Sequence, residues 1–298
     1  METNYIWHNW KFIEWNESLQ HTVNHALHYW TWAFEWIRLY DTKIWPRAFR
    51  LTDHIKRLFY SADVLGLEVG YSVDEVCQII NNLISKNWIY NWYIRPIIWH
   101  WYWKMWLNPS WANTDFVISL WNWWKYLENA SVKVKISNFI RPHPSSLVID
   151  AKLSWYYINS YFANNEAKNL WYDEALLLDY KWNIAEWPWE NIFFIKWDKL
   201  ITPNLCSILP WITRDTVLKY ISKEFNLEPV EFDIKPSDLS WFEEAFFVGT
   251  AAEVTPIAKI DDLDWNSINY KTMFWSKIAN YYKDLVSWYI EKYKFLLY

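Results

Sequence analysis

The sequence predicts an α+β fold in two domains, on three observations. Its 298 residues mix helical and strand periodicities without a regular alternation of the two. A polar stretch at 125–128 divides the chain, and a strand of strict alternation, VKVKI at 132–136, follows it. The length is enough for two cores of ordinary size. The expected domains are 1–125, the smaller, and 126–298, the larger.

The elements follow in order. IWHNWKFIE (6–14) predicts a hairpin. Over 52–67, Ile55, Leu58, Phe59, Ala62 and Leu65 share one helical face. A second helix opens with Ser72 and Glu75 at the spacing of a capping box, and Val76, Ile79, Ile80 and Leu83 form its stripe. Strands are expected at 91–99 and 116–121, and beyond the boundary at 132–136, 172–180, 190–196, 199–203 and 244–250. Helices are expected at about 152–170, 213–226 and 272–293, the first with Lys152 at its start.

Composition excludes several classes of function. Hydrophobic residues at 53% and charged residues at 21% suit a folded soluble chain. The apolar run 97–106 is broken by His100 and Lys104 before it reaches the roughly eighteen residues of a membrane span. No basic segment followed by an apolar one opens the chain, so the expected location is cytoplasmic, with no membrane partner. A net charge of -5 argues against nucleic acid. Cys77 and Cys206 lack CxxC spacing and are expected to be buried small residues. His21, His25 and His28 stand at i, i+4, i+7, but no carboxylate or cysteine joins them at ligand spacing, so no metal is expected. A phosphate-binding GK[ST] loop and a serine nucleophile elbow are also missing.

The chain holds 28 Trp and 3 Gly, where ordinary usage of roughly 7% predicts about twenty glycines. Trp stands where turn chemistry asks for Gly, as in Asn9-Trp10, Asn87-Trp88, Lys181-Trp182-Asn183 and Lys196-Trp197-Asp198. The expectation is that most of these tryptophans are glycines in the organism, with UGA codons read as Trp where the lineage reads them as Gly. The competing reading is a set of aromatic stacking platforms, as in a non-catalytic binding protein.

One set of segments carries a resemblance. DAKLSWYYINS, the run NEAKNLWYDEALLLDYKWNIAEWPWENIFFIK, LITPNLCSILPWITRDTVL and FVGTAAEVTPI, together with HALHYWTWAFEWIRLY and YIRP, resemble the branched-chain amino acid aminotransferases, with Trp where that family shows Gly. The likeness runs over about 5–290. It implies a fold type IV pyridoxal-phosphate enzyme, with a small α/β N-terminal domain and a larger pseudo-barrel C-terminal domain.

The resemblance also implies the site. Lys152 would bind pyridoxal 5'-phosphate as a Schiff base, Glu186 would pair with its ring nitrogen, and Tyr157 would meet its phenolic oxygen. Arg57, Ile212, Thr213 and Thr250 would hold the phosphate, with Leu209 and Gly249 also at cofactor-binding positions. Tyr29, Phe34, Tyr126 and Tyr157 would wall the aliphatic pocket. Tyr93 and Arg95 match the family's YxR pair, Thr250 and Ala251 would receive the α-carboxylate, and Arg38 closes the family's FEGIR segment. The implied reaction is transamination between leucine, isoleucine or valine and 2-oxoglutarate, in branched-chain amino-acid biosynthesis, by a homodimer or higher homo-oligomer. D-amino acid aminotransferase and aminodeoxychorismate lyase are the alternatives of the same fold; Tyr93-Ile94-Arg95 and GTAAEVTP (249–256) favour the branched-chain enzyme.

Overall fold

The computed structural model describes residues 3–102, 104–109, 111–122 and 131–298. Tyr126 and the boundary expected at 125 lie outside the described residues. The chain forms two compact units: unit 1 is Met1–Trp124, Ala151–Trp155 and Leu285–Tyr298, and unit 2 is Lys125–Asp150 and Tyr156–Asp284.

Unit 1 is built on a seven-stranded sheet. The expected hairpin is β1 (Tyr5–His8) and β2 (Lys11–Glu14), joined by Asn9 and Trp10, both at positive φ as a two-residue turn of this kind requires. A short helix, α1 (His25–Tyr29), precedes β3 (Trp32–Phe34), β4 (Ile37–Tyr40) and β5 (Arg47–Ala48). None of these four was anticipated, because each is too short to show a period.

Two longer helices, α2 (Leu51–Val64) and α3 (Val73–Asn87), follow. The capping box of α3 forms as its spacing predicts: Glu75 N–H donates to Ser72 Oγ at 3.2 Å, and Ser72 N–H to Glu75 Oε2 at 2.7 Å. On α2 the buried face includes Ile55, Leu58 and Ala62 but also the polar His54 and Ser61, which an apolar stripe does not reveal. The central pair is β6 (Trp92–His100) and β7 (Thr114–Asn122), in antiparallel register from Trp92↔Asn122 to His100↔Thr114. Both β3 and β4 lie along β6, and the break between them falls at Glu35, whose N–H donates to the Pro96 carbonyl at 3.0 Å.

Unit 2 is built on a nine-stranded sheet. It comprises β8 (Val132–Ile140), α4 (Tyr156–Asn169), β9 (Glu174–Leu178), β10 (Glu186–Trp187), β11 (Glu190–Lys196), β12 (Lys199–Pro203), α5 (Ile212–Thr216), α6 (Ser222–Glu224), β13 (Glu228–Phe232), β14 (Glu244–Gly249), β15 (Glu253–Asp261) and β16 (Ser267–Asn269). The order is β13-β12-β11-β14-β15-β8-β9, with β10 on β11 and β16 on β15. Its core packs Val134, Ile136, Leu176, Ile192, Phe194 and Phe247 from these strands. The strands β13 and β15 escaped sequence reading because Pro229 and Pro256 interrupt their patterns. A π-turn at Val217–Ile221 joins α5 to α6, and α7 (Trp275–Val286) ends short of the expected 293.

The helix expected from 152 begins only at Tyr156. Lys152 instead lies outside any helix, just before an isolated bridge at Leu153. Its N–H donates to Ser61 Oγ at 2.8 Å, Phe34 N–H donates to its carbonyl at 3.3 Å, and the next residue, Leu153, bridges Ala33.

Among the described residues, thirteen non-glycine residues have positive φ, and eight of them are tryptophan: Trp10, Trp30, Trp88, Trp171, Trp182, Trp197, Trp265 and Trp288. Trp is fewer than one residue in ten of the chain, 28 of 298, so chance does not place it there. Each of the eight sits at a helix end or tight turn. Trp30 and Trp88 are the left-handed caps of α1 and α3, and Gly66, at φ +68, holds the same conformation after α2. A side chain in this region costs roughly 1–2 kcal/mol per residue. Eight together rival the whole net stability of a domain, about 5–15 kcal/mol.

Candidate active site

In unit 1 the lysine singled out by sequence is buried, with 1% of its surface exposed. Lysine is almost never buried unless its charge is put to use. Its Nζ lies 4.8 Å from the centroid of the Phe34 ring, and the Arg95 guanidinium lies 4.9 Å from the same centroid. Arg95 is further enclosed by Trp36 at 4.6 Å and Trp121 at 5.0 Å, so aromatic faces surround the cation. Tyr93, two residues earlier on β6, is fully buried and opposes Arg38 of β4. Tyr29, at the end of α1, is exposed, and its hydroxyl donates to the Met105 carbonyl at 3.4 Å.

Arg57 is held by a residue that sequence reasoning missed. The fully buried Glu35 receives Arg57 Nε on Oε1 at 2.6 Å and Nη2 on Oε2 at 2.9 Å, and His54 Nδ1 meets Oε2 at 2.7 Å. Burial alone would raise the Glu35 pKa, but the charges and hydrogen bonds of Arg57 and His54 outweigh it and bring it down to about 2. Burial pushes His54 below its ordinary range, so it is a neutral donor near pH 7. His54, Arg57 and Ser61 recur at i, i+3, i+7 on α2, and Ser61 Oγ, which receives the Lys152 N–H, itself donates to the Arg57 carbonyl at 2.8 Å. Glu35 stands between Phe34 and Arg38 in the segment already singled out, which was the available signal.

In unit 2 Glu186 opens β10 and is 1% exposed. Its Oε1 accepts from Leu209 N–H at 3.2 Å and lies 3.0 Å from Arg141 Nη2. Its Oε2 accepts from Asn191 Nδ2 at 3.1 Å and from Trp211 Nε1 at 2.9 Å. Ile212 and the buried Thr213 begin α5 directly afterwards, and Tyr157 lies half-buried in the first turn of α4.

A third cluster surrounds Gly249, Thr250 and Ala251. A Cβ on Gly249 would fall 2.3 Å from Cγ of Glu190, so only glycine fits. Glu190 is fully buried and accepts the Ala252 N–H at 2.9 Å, which ties it to the turn carrying Thr250 and Ala251. Burial, reinforced by the nearby Glu174 charge and only partly offset by the Ala252 N–H, pushes its pKa well above the ordinary carboxylate range.

The histidines and cysteines are otherwise engaged. His25 bonds Thr31 Oγ1 at 2.8 Å and the Trp106 carbonyl at 2.9 Å, and His28 the Thr22 carbonyl at 3.0 Å. Cys77 is buried as expected, whereas Cys206 is only partly so. Among the described residues, no helix is long and apolar enough to cross a membrane.

A buried lysine amine, and a buried carboxylate ion-paired to arginine, are groups of the kind used by enzymes that hold a carbonyl cofactor on an amine. The chain belongs to the class IV aminotransferases, whose family model matches residues 32–260. It is 36% identical to the branched-chain-amino-acid aminotransferase of Pseudomonas aeruginosa over 86% of this chain and 84% of that one. It is 34% identical to the enzyme of that name from Escherichia coli K12, over 88% and 86%. Among solved structures, the branched-chain aminotransferase of Thermoproteus uzoniensis with norvaline superposes with a TM-score of 0.93 at 32% identity, covering 99% of each chain. The branched-chain amino acid aminotransferase of Thermobaculum terrenum, in its PLP form, gives 0.92 at 29% identity, covering 100% of this chain and 98% of that one.

Each unit, taken by itself, carries groups of the kind such a cofactor takes. Unit 1 offers a buried primary amine and a fixed guanidinium. Unit 2 offers a buried carboxylate balanced by Arg141, together with the hydroxyl of Thr213. One side chain departs from this fit: the Trp211 indole occupies an acceptor position on Glu186.

Proposed function

We propose that the chain catalyses transamination between the branched-chain L-amino acids leucine, isoleucine and valine and 2-oxoglutarate, giving the branched 2-oxo acids and L-glutamate, with pyridoxal 5'-phosphate as cofactor. The observation that carries the reading is the burial of Lys152 on backbone fixed at both its N–H and its carbonyl.

When bound, the cofactor supplies an electron sink for the bond broken at the substrate α-carbon. Lys152 Nζ would hold it covalently until the substrate amine displaces the lysine, and the freed amine would then move the proton at the α-carbon. Glu186 accepts the ring N–H and keeps that nitrogen protonated, while Arg141 balances the carboxylate charge. Arg57, pre-oriented by Glu35, binds phosphate together with Ile212, Thr213 and Thr250, and Leu209 and Gly249 complete the cofactor contacts. Tyr157 donates to the phenolic oxygen.

Phe34, Tyr29 and Tyr126 wall the aliphatic chain. Tyr93, Arg95 and Arg38 provide the polar and cationic partners that a glutamate side chain requires. Thr250 and Ala251 receive the α-carboxylate through their backbone. The enzyme works in the cytoplasm as a homodimer or higher homo-oligomer.

The test is an assay of the protein purified from its source with L-leucine and 2-oxoglutarate, beside Lys152→Ala. Turnover of L-leucine that this substitution abolishes supports the reading. Activity on D-alanine with none on L-leucine overturns it in favour of the D-specific enzyme.

A further inference from the structure

We infer that the polypeptide made in the cell carries glycine at the eight left-handed tryptophan positions and at Trp211. The backbone makes the first part of the case. The conformations at Trp10, Trp30, Trp88, Trp171, Trp182, Trp197, Trp265 and Trp288 are those glycine adopts without steric cost, and they fall where glycine ends helices and closes hairpins. After α2 the same position is filled by Gly66.

Side-chain packing makes the second part. Seven of these eight indoles are exposed, Trp171 at 93% and Trp197 and Trp88 at 75% each, so burial returns little for the strain. Trp7 shows what a tryptophan with a structural purpose looks like. It is 2% exposed and meets Tyr71 and Phe116 edge to face, with centroids 5.2 and 5.1 Å away. The two populations differ in backbone and burial, as two different amino acids would.

The acceptor count at Glu186 makes the third part, and it rests on the function proposed above. A carboxylate has about four lone-pair positions. Leu209 and Arg141 take those on Oε1, and Asn191 and the Trp211 indole those on Oε2. A pyridine N–H would need one of them. The indole, unlike the Leu209 N–H and the Arg141 guanidinium, can be removed without disturbing the backbone or the ion pair, and glycine removes it. One codon, UGA, assigned to glycine in the source and to tryptophan in translation, accounts for all nine positions.

Two measurements test this. The codons of the gene should be UGA at all nine positions and UGG at Trp7. Peptides of the protein isolated from its source should show glycine mass at the nine and tryptophan mass at position 7. Tryptophan mass at the nine positions overturns the inference, whatever the enzyme does. For the Trp211 part, the chain as written and its Trp211→Gly variant are each mixed with pyridoxal 5'-phosphate and desalted. The variant should retain at least tenfold more cofactor per chain, and equal retention by both overturns the acceptor argument. Retention by neither, with glycine found by mass, would count against the proposed cofactor and leave the codon inference standing.

Discussion

Glu35 and Arg57 are joined at both carboxylate oxygens, Nε to Oε1 at 2.6 Å and Nη2 to Oε2 at 2.9 Å, with the carboxylate fully buried. Breaking one side of such a pair leaves an uncompensated buried charge. Glu35→Ala is therefore expected to destabilise the protein by about 3–5 kcal/mol, read as a lower urea midpoint at pH 7. A loss below about 1 kcal/mol would show that the guanidinium finds water or another acid, and that Glu35 does not hold it.

The same pair fixes a pH dependence. The folded pKa of Glu35 is depressed from 4.5 to about 2, so its stabilising contribution is present above 4.5 and is lost as pH falls towards 2. By linkage that contribution is about 3 kcal/mol. His54 is depressed from 6.5, so acid begins to weaken the fold below that value as the imidazole is forced to charge. Urea midpoints should fall as pH drops from 4.5 towards 3, and in Glu35→Gln that fall should flatten. Parallel curves for the two proteins would remove Glu35 from the account.

How legible this was in the sequence depends on what fixes each element. The capping box of Ser72 and Glu75 is a local arrangement, and α3 begins where it says. Strand β11 matches the expected 190–196 because its apolar run is bounded by a polar turn. The region before Tyr156 was misread as helix because its backbone partners, Ser61 and Ala33, are about a hundred residues away. Glu35 and His54 escaped for a related reason. An acid and a histidine nineteen residues apart become a site only when the break between β3 and β4 and the first turn of α2 meet. The left-handed turns were legible in advance through the residue type that filled them wrongly.

Glu186 and Arg141 form the corresponding buried pair in unit 2, at 3.0 Å. Glu186→Gln keeps the shape and one acceptor oxygen but removes the charge and puts a donor where the other oxygen stood. If the carboxylate partners the ring nitrogen, kcat falls by two or more orders of magnitude, roughly the ~3 kcal/mol of a charged hydrogen bond, and KM for L-leucine changes much less. Equal effects on both constants would point to a damaged fold.

Glu190 titrates in the opposite sense. Its folded pKa is raised above 4.5, so its contribution is fully present below that value and is lost as pH rises through the folded pKa. Glu190→Gln, which keeps an acceptor for Ala252 N–H, should match the parent in urea at pH 4 and exceed it at pH 8. A variant less stable than the parent at pH 8 would mean that the carboxylate form is the one the turn at Thr250 requires.

Two tryptophans should respond to truncation with opposite signs. Trp197 turns β11 into β12 at φ 54, with its indole 75% exposed. Trp197→Gly gives up little packing and relieves the left-handed strain, so it should stabilise the protein by about 1 kcal/mol. Trp7 is buried between Tyr71 and Phe116, and Trp7→Ala opens a cavity that costs about 3–5 kcal/mol. Urea denaturation of the two variants against the parent reads both signs in one experiment. A destabilising Trp197→Gly would show that the exposed indole contributes contacts worth more than the turn's strain, and the separation of the tryptophans into two kinds would fail with it.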